Sequence, residues 1–266
     1  MLFTVITINY NNHTGLRQTI ESVVSQTFND FEYIIIDGGS TDGSVDVIMA
    51  YRERVNFWLS EEDRGIYHAM NKGVARAHGE YCIFMNSGDR FYDKDVLLDI
   101  SKYQKNEDVI VGNVSIDDED HIISPHPEQG NLTFYHLYSG AIPHQGTFIK
   151  TELLQKYPYD ENLKISSDWK FFVQTLIFDN CSVCFLDKLV AYFDLNGLSS
   201  TNPNLMREEK EEILSSMLPP RILADYKRMK QSECLIQELA PQLRISYRVD
   251  KFLYFIGKFM LKFRRG

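Results

Sequence analysis

The chain has no run of about 18 uncharged apolar residues, so no segment is predicted to span a membrane. It does not begin with a basic stretch followed by a cleavable apolar segment, so no secretory signal is predicted either. Lys and Arg are outnumbered by Asp and Glu, 28 to 37, which argues against nucleic-acid binding through the body of the protein. We therefore expect a cytoplasmic protein without a nucleic-acid partner.

Cysteine is too scarce for a disulfide framework, since only four occur in 266 residues. Cys181 and Cys184 form a C-x-x-C pair, but no second pair or His cluster completes a zinc site. Glycine is also missing from the turn after the first predicted strand, which ends in Asn-Tyr-Asn-Asn at 9–12. That absence excludes the G-x-G-x-x-G turn that binds dinucleotide phosphates.

Strand-like and helix-like segments alternate through the first 115 residues. Apolar, β-rich runs lie at 3–8, 32–36, 56–59, 81–85 and 108–114, with helical periodicity between them. Repeated βα units predict an α/β fold with a mostly parallel sheet between two helical layers. Beyond residue 115 the pattern predicts a hairpin at 116–124, strands at 146–150 and 183–193, a helix at 168–178, and helices from 203 onward.

Three acidic or glycine-containing loops follow predicted strands, at 37–43, 62–65 and 86–89. The carboxyl ends of parallel strands meet at one edge of a sheet, where ligands bind. Asp37 closes the second strand, where an acid that binds a ribose or base would sit. Asp89 would emerge at the same edge and could hold a divalent cation that binds phosphate oxygens. The alternative for Asp89 is a turn residue that caps the following helix.

Five motifs, in order, resemble glycosyltransferase family 2, which contains inverting nucleotide-diphospho-sugar enzymes with the Rossmann-like, three-layer αβα GT-A fold. The resemblance covers roughly residues 3–200 and includes a stretch similar to bacterial members that build polysaccharides. The motifs are TVITINYN at 4–11, SVVSQTF at 22–28 with 31–32, DGGSTDG at 37–43, EDRGIY at 62–67 with AMNKG at 69–73, and GEY at 79–81 before the metal loop.

The resemblance implies a nucleotide site and a metal site. Asp37 is expected to contact the base, uracil in most members, with Tyr10 packing nearby and Arg64 near the base or diphosphate. Asp89 is expected to hold Mg²⁺ or Mn²⁺. The nucleotide-binding set implied by these motifs is Tyr10, Asp37, Gly39, Ser40, Arg64 and Lys72.

The segment SSDW at 166–169 resembles the acceptor-side acid of the family, which makes Asp168 the candidate general base. A predicted helix begins at this residue, and a helix N-terminus favours an ionised carboxylate. The alternative for Asp168 is a helix cap. His144 and Trp169 are candidate contacts to acceptor or phosphate, His144 with a structural loop role as its alternative. Asp194 is a further metal candidate.

Two departures from the family pattern affect these expectations. Gly38 replaces the second acid of the nucleotide loop, which leaves base specificity open. Asn86 and Gly88 occupy positions of the metal loop that are often acidic. We therefore expect a divalent metal to depend on the phosphates of the sugar nucleotide for part of its coordination.

The predicted organisation is a transferase domain at 1–202 and a C-terminal helical extension at 203–266. Within the first domain, 1–115 would form the nucleotide-sugar half and 116–202 the acceptor half. The extension ends in a basic amphipathic tail at 244–265, with seven Lys/Arg and one Asp between 244 and 266. Such a tail suits an anionic membrane surface, with packing on the acidic body as the alternative.

The predicted function is transfer of a sugar, with inversion, from a UDP-linked donor to a hydroxyl of a glycan or lipid-linked acceptor. The enzyme is expected to be peripheral on the inner face of the cell membrane. One alternative is a sugar-phosphate nucleotidyltransferase, which would need a Gly-rich basic signature that residues 9–14 lack. The other is a non-catalytic relative that binds sugar nucleotides or glycans.

Overall fold

The computed structural model describes residues 1–103, 106–116, 121–127, 131–195 and 197–242. Within these residues, nine strands form one sheet flanked by helices. The strands are β1 (Phe3–Asn9), β2 (Phe31–Asp37), β3 (Phe57–Ser60), β4 (Tyr81–Phe84), β5 (Arg90–Phe91), β6 (Val109–Ser115), β7 (Ile122–Ile123), β8 (Thr147–Lys150) and β9 (Val183–Tyr192). The helices are α1 (His13–Val24), α2 (Ser44–Ala50), α3 (Ile66–Val74), α4 (Val96–Ser101), α5 (Phe134–Ser139), α6 (Thr151–Lys156), α7 (Ser167–Phe172), α8 (Leu198–Thr201), α9 (Pro203–Met217) and α10 (Pro220–Gln242).

The first half of the sheet is parallel, in the order β3-β2-β1-β4. All seven residues of β1 are buried, because helices cover both faces of the sheet. One face packs against apolar residues of α1, α2 and α4, among them Leu16, Ile48 and Leu97. On the other face, Gly73 of α3 lies so close to Ile6 that a Cβ would be 2.6 Å from its Cγ2 atom. The predicted three-layer α/β architecture is confirmed.

The second half of the sheet is mixed. β8 runs antiparallel between β4 and β6, while β9 is parallel to β6 and antiparallel to β5. A hairpin pairs β6 with β7, with Val114 opposite Ile123, so its first arm lies before the predicted range 116–124. Its acidic turn at 117–120 lies outside the described residues. The helix predicted at 168–178 is α7 followed by a π-helical segment, Val173–Phe178.

The chain divides into two compact units, Met1–Ile213 and a second that begins at Leu214. The division falls within α9, so the first part of this helix belongs to the sheet-containing unit. Of the second unit, the structure describes the end of α9 and α10. No helix within the described residues is both long and apolar enough to cross a membrane. The basic tail at 244–265 lies outside them, so its membrane contact stays a prediction.

Candidate active site

A cavity of about 1180 Å³ opens at the carboxyl ends of β1, β2 and β4, inside the Met1–Ile213 unit. Loops at the strand ends form one wall. The opposite wall comes from residues 141–145, 164–166, 168–169, 193–194, 197–198, 200, 206 and 210. Cavities that hold one small molecule usually measure about 300–1,000 Å³, so this one is large enough for a ligand of substrate size.

Asp37 organises the loop that follows β2. Its side chain is fully buried and accepts four hydrogen bonds from neighbouring residues. The donors are Asn9 Nδ2 at 2.7 Å, Ser40 Oγ at 2.6 Å, Ser40 N at 2.9 Å and Ser60 Oγ at 2.6 Å. Burial alone would raise the pKa of this carboxyl, but the hydrogen bonds from Ser40, Ser60 and Asn9 hold the pKa below its usual value. The structure thus places Asp37 behind the cavity wall, with its acceptor positions filled, and a base contact stays a prediction.

Three predicted nucleotide residues surround Asp37. Ser40 donates to Asp37 and accepts from the Asn11 backbone N–H at 2.8 Å, which ties the loop to the end of β1. Gly39 has a φ of +79°, and a Cβ there would be 3.3 Å from the Glu62 nitrogen. Only glycine therefore fits between the two loops without strain. The Tyr10 side chain lines the cavity and is 68% exposed.

The two predicted cations occupy different places. Arg64 lines the cavity and pairs with Glu161, which does not line it. Lys72 does not line the cavity; its Nζ lies 2.6 Å from Asp63 and 2.8 Å from Glu61. Burial would lower the pKa of Lys72, but these two carboxylates outweigh it and raise the pKa. Lys72 therefore anchors the loop after β3, and its contact with a nucleotide stays a prediction.

Asp89 is almost fully buried where the loop after β4 enters the cavity. Burial raises the pKa of its carboxyl to about 6, although His144 and a hydrogen bond from the Asp194 backbone N–H, at 2.9 Å, act in the opposite direction. Gly88 has a φ of +107°, and a Cβ there would be 2.5 Å from Asp194 Oδ2. The carboxylate of Asp194 thus fills the space beside Gly88 where an acidic side chain was expected.

These residues fit a divalent cation that is bound jointly with a ligand. Mg²⁺ and Mn²⁺ take carboxylate oxygens, and Mg²⁺ usually combines one or two carboxylates with substrate phosphates and water. Asp89 and Asp194 supply two such groups. Among the described residues, no cluster of three or more His, Cys, Asp or Glu side chains could hold a metal alone. This agrees with the metal loop of the sequence, in which Asn86 and Gly88 occupy positions that are often acidic.

Asp168 lies at the start of α7 and lines the cavity. Its Oδ1 accepts from Tyr67 Oη and the Trp169 backbone N–H, both at 2.9 Å, and its Oδ2 lies 3.2 Å from His144 Nδ1. Burial would raise the pKa of Asp168, but His144, Trp169 and Tyr67 outweigh it and lower the pKa. The carboxylate is therefore held ionised, in a fixed orientation, at the cavity surface.

His144 lies between the two acids of the cavity. Burial would lower the pKa of its imidazole, but Asp168 and Asp89 outweigh it and raise the pKa. The other ring nitrogen, Nε2, is 3.1 Å from the side-chain amide of Asn86. With the Asn86 amide turned so that its oxygen accepts from Nε2–H, a protonated His144 pairs with Asp168 and adds positive charge near Asp89.

Trp169 lines the cavity, but its indole is 3% exposed. Its Nε1–H donates to the Leu137 carbonyl at 2.8 Å, and Lys210 Nζ lies 4.8 Å from the ring centre. Burial lowers the pKa of Lys210, although Asp168 acts against this. The polar group of the indole is already satisfied, so Trp169 offers mainly an apolar edge to a ligand.

No motif in the sequence indicated the part played by Glu209. Its carboxylate, on α9, accepts the backbone N–H groups of Lys164, Ile165 and Ser166 at 2.6, 3.0 and 2.9 Å. These residues lead directly into α7. Glu209 therefore fixes the segment that positions Asp168, although it lies beyond the predicted domain boundary at 202.

A family model described as glycosyl transferase family 2 matches residues 4–160. Among the relatives is an uncharacterized glycosyltransferase of Mycobacterium tuberculosis, 30% identical over 203 residues, which covers 74% of this chain and 76% of the relative. Another is a PGL/p-HBAD biosynthesis glycosyltransferase of Mycobacterium bovis, 26% identical over 208 residues and covering 75% of this chain and 80% of the relative.

Solved structures share the fold. A fragment of S. aureus TarS in complex with UDP-GlcNAc has a TM-score of 0.62 and 22% identity, over 73% of this chain; the match spans 58% of that fragment. Glucosyl-3-phosphoglycerate synthase of Mycobacterium tuberculosis, in complex with Mn²⁺ and UDP-glucose, has a TM-score of 0.55 and 16% identity, over 80% of this chain and 78% of that one. Because the family model matches more than half of the chain, at the residues that build this cavity's strand-end wall, the protein belongs to glycosyl transferase family 2.

Proposed function

We propose that the protein transfers a sugar from a UDP-linked donor to a hydroxyl of a glycan or lipid-linked acceptor, with inversion. The observation that carries this proposal is the Asp168 carboxylate, held at the cavity surface by three hydrogen-bond donors. Membership of the family supports the transferase activity. The UDP-sugar complexes of TarS and of the synthase, which share the fold, support the choice of donor.

Asp168 would act as the general base. Two carboxylate oxygens offer about four acceptor positions, and three are occupied, so one remains for a substrate hydroxyl. The acceptor oxygen attacks the anomeric carbon as the bond to the diphosphate oxygen breaks, and its proton passes to Asp168. A single displacement of this kind inverts the anomeric carbon. General base catalysis contributes about 10²–10⁴-fold.

The diphosphate leaving group gains negative charge in the transition state. Arg64 lines the cavity and His144 carries a raised pKa, so both are placed to offset that charge. A divalent cation held by Asp89, with Asp194 beside it, would add Lewis-acid stabilisation of the same oxygens when bound. The Gly88 contact supports this assignment, because it gives Asp194 the space of a missing acid.

The acceptor would enter from the opposite wall. Ile142, Phe193, Leu198 and Met206 line that wall, and such apolar side chains suit the carrier part of a lipid-linked acceptor or the faces of sugar rings. We also propose that residues 1–202 form the transferase domain, completed by the first turns of α9. The tail at 244–265 would contact the inner face of the cell membrane.

The test is hydrolysis of a panel of nucleotide sugars, with Mn²⁺, Mg²⁺ or EDTA, by the wild-type protein and by Asp89→Ala. Slow hydrolysis of one UDP-sugar that requires both metal and Asp89 supports the donor site and identifies the sugar. Hydrolysis that is indifferent to metal and to Asp89 would overturn the metal assignment. A non-catalytic binding protein would instead bind UDP by calorimetry and hydrolyse no donor.

A further inference from the structure

Gly38 replaces the second acid of the nucleotide loop, and two side chains lie close to where its side chain would be. A Cβ at Gly38 would lie 3.1 Å from Asp63 Oδ2 and 3.3 Å from Tyr10 Cδ2. Gly38, Asp63 and Tyr10 all line the cavity. The carboxylate of Asp63, from the loop after β3, therefore lies where Gly38 of the nucleotide loop lacks a side chain.

Asp63 is anchored through one oxygen only. Its Oδ1 lies 2.6 Å from Lys72 Nζ and 3.3 Å from His68 Nδ1, and its side chain is 11% exposed. None of the residues that the structure describes donates a hydrogen bond to Oδ2. The ion pair thus fixes the carboxylate and leaves Oδ2 available at the cavity surface, next to the exposed ring of Tyr10.

Asp37 has the opposite arrangement. Its oxygens accept four hydrogen bonds and have no exposed surface. A ligand could therefore reach them only if a hydrogen bond from Ser40 or Ser60 were broken. Breaking a charge-assisted hydrogen bond of this type is unfavourable. Asp63 offers a free acceptor a short distance away without that cost.

We propose that Asp63 reads the nucleotide base: its Oδ2 accepts the ring N–H of the base while the Tyr10 ring covers the base face. Uracil carries such a donor at N3, and guanine carries one at N1. Cytosine and adenine present a lone pair at the corresponding ring nitrogen, which repels a carboxylate. The inference rests on the proposed function, since it assigns the base-recognition contact of the same donor site.

The experiment is calorimetric binding of UDP and CDP to the full-length wild-type protein, Asp63→Asn and Glu61→Gln. The control variant removes the other carboxylate partner of Lys72, on the same loop, but does not line the cavity. We expect the preference of the wild type for UDP over CDP to fall about 10- to 100-fold in Asp63→Asn and to persist in Glu61→Gln. A loosened loop would weaken both nucleotides equally and leave their ratio unchanged.

A second measurement uses the wild type alone, in case Asp63→Asn does not fold. UDP methylated at N3 of uracil lacks the donor, and we expect it to bind as weakly as CDP. An unchanged preference in Asp63→Asn, or equal binding of UDP, CDP and the methylated nucleotide by the wild type, would overturn the inference. If the wild type binds no nucleoside diphosphate at all, the proposed function fails together with it.

Discussion

Replacement of Glu209 by Gln should destabilise the protein, because this buried carboxylate accepts three backbone N–H groups ahead of α7. Each hydrogen bond to a charged group contributes about 1.5–3 kcal/mol. Gln keeps one acceptor oxygen, so one or two of the bonds are lost or weakened. We expect the free energy of unfolding to fall by about 2–4 kcal/mol.

Urea denaturation followed by tryptophan fluorescence measures this loss, because Trp169 lies in α7 and is one of only two tryptophans in the chain. With an m-value of about 3 kcal/mol/M, the midpoint should fall by about 1 M. The matched control is Glu208→Gln, an exposed neighbour on α9, which should change stability by less than about 0.5 kcal/mol. Equal midpoints for the two variants would refute the role assigned to Glu209.

Three further predictions concern the cavity. Tyr67→Phe removes a donor that lowers the pKa of Asp168, so the acidic limb of the pH profile of kcat should move to higher pH, whereas a purely structural effect would lower kcat without moving that limb. Gly88→Ala should weaken Mn²⁺ binding in the presence of UDP and lower the melting temperature, since its Cβ would meet Asp194 at 2.5 Å; unchanged values would contradict the close approach. Because burial raises the pKa of Asp89 to about 6, the affinity for Mn²⁺ should rise from pH 5 to pH 7 as the proton leaves, and a calorimetric titration that is flat over this range would refute it.

The parallel half of the fold could be predicted from sequence because buried parallel strands are continuously apolar. The runs at 32–36 and 81–85 identify β2 and β4, and the polar residues that end them locate the edge of the sheet. The mixed half could not be predicted in the same way. β8 enters between β4 and β6 through pairings that are distant in sequence, such as Cys82 with Ile149, and local periodicity does not encode them.

The side-chain arrangement of the site was predictable only in part. The motifs placed Asp89 and Asp168 near one cavity, and the structure brings both to it. Lys72 belongs to a motif too, but it pairs with Asp63 and Glu61 and does not line the cavity. An acidic residue in a polar helix normally faces water. The hydrogen bonds of Glu209 to residues 164–166 therefore follow from how α9 packs and could not be predicted from its sequence.

The central claim is that Asp168 is the general base of an inverting transfer, and the direct test compares Asp168→Asn with the wild type. UDP binding and turnover of the donor identified from the panel would be measured on the same preparations. We predict unchanged UDP affinity and a kcat at least about 10²-fold lower, because the variant cannot accept the proton of the acceptor hydroxyl. A kcat within a few-fold of wild type, with UDP still bound, would contradict the account.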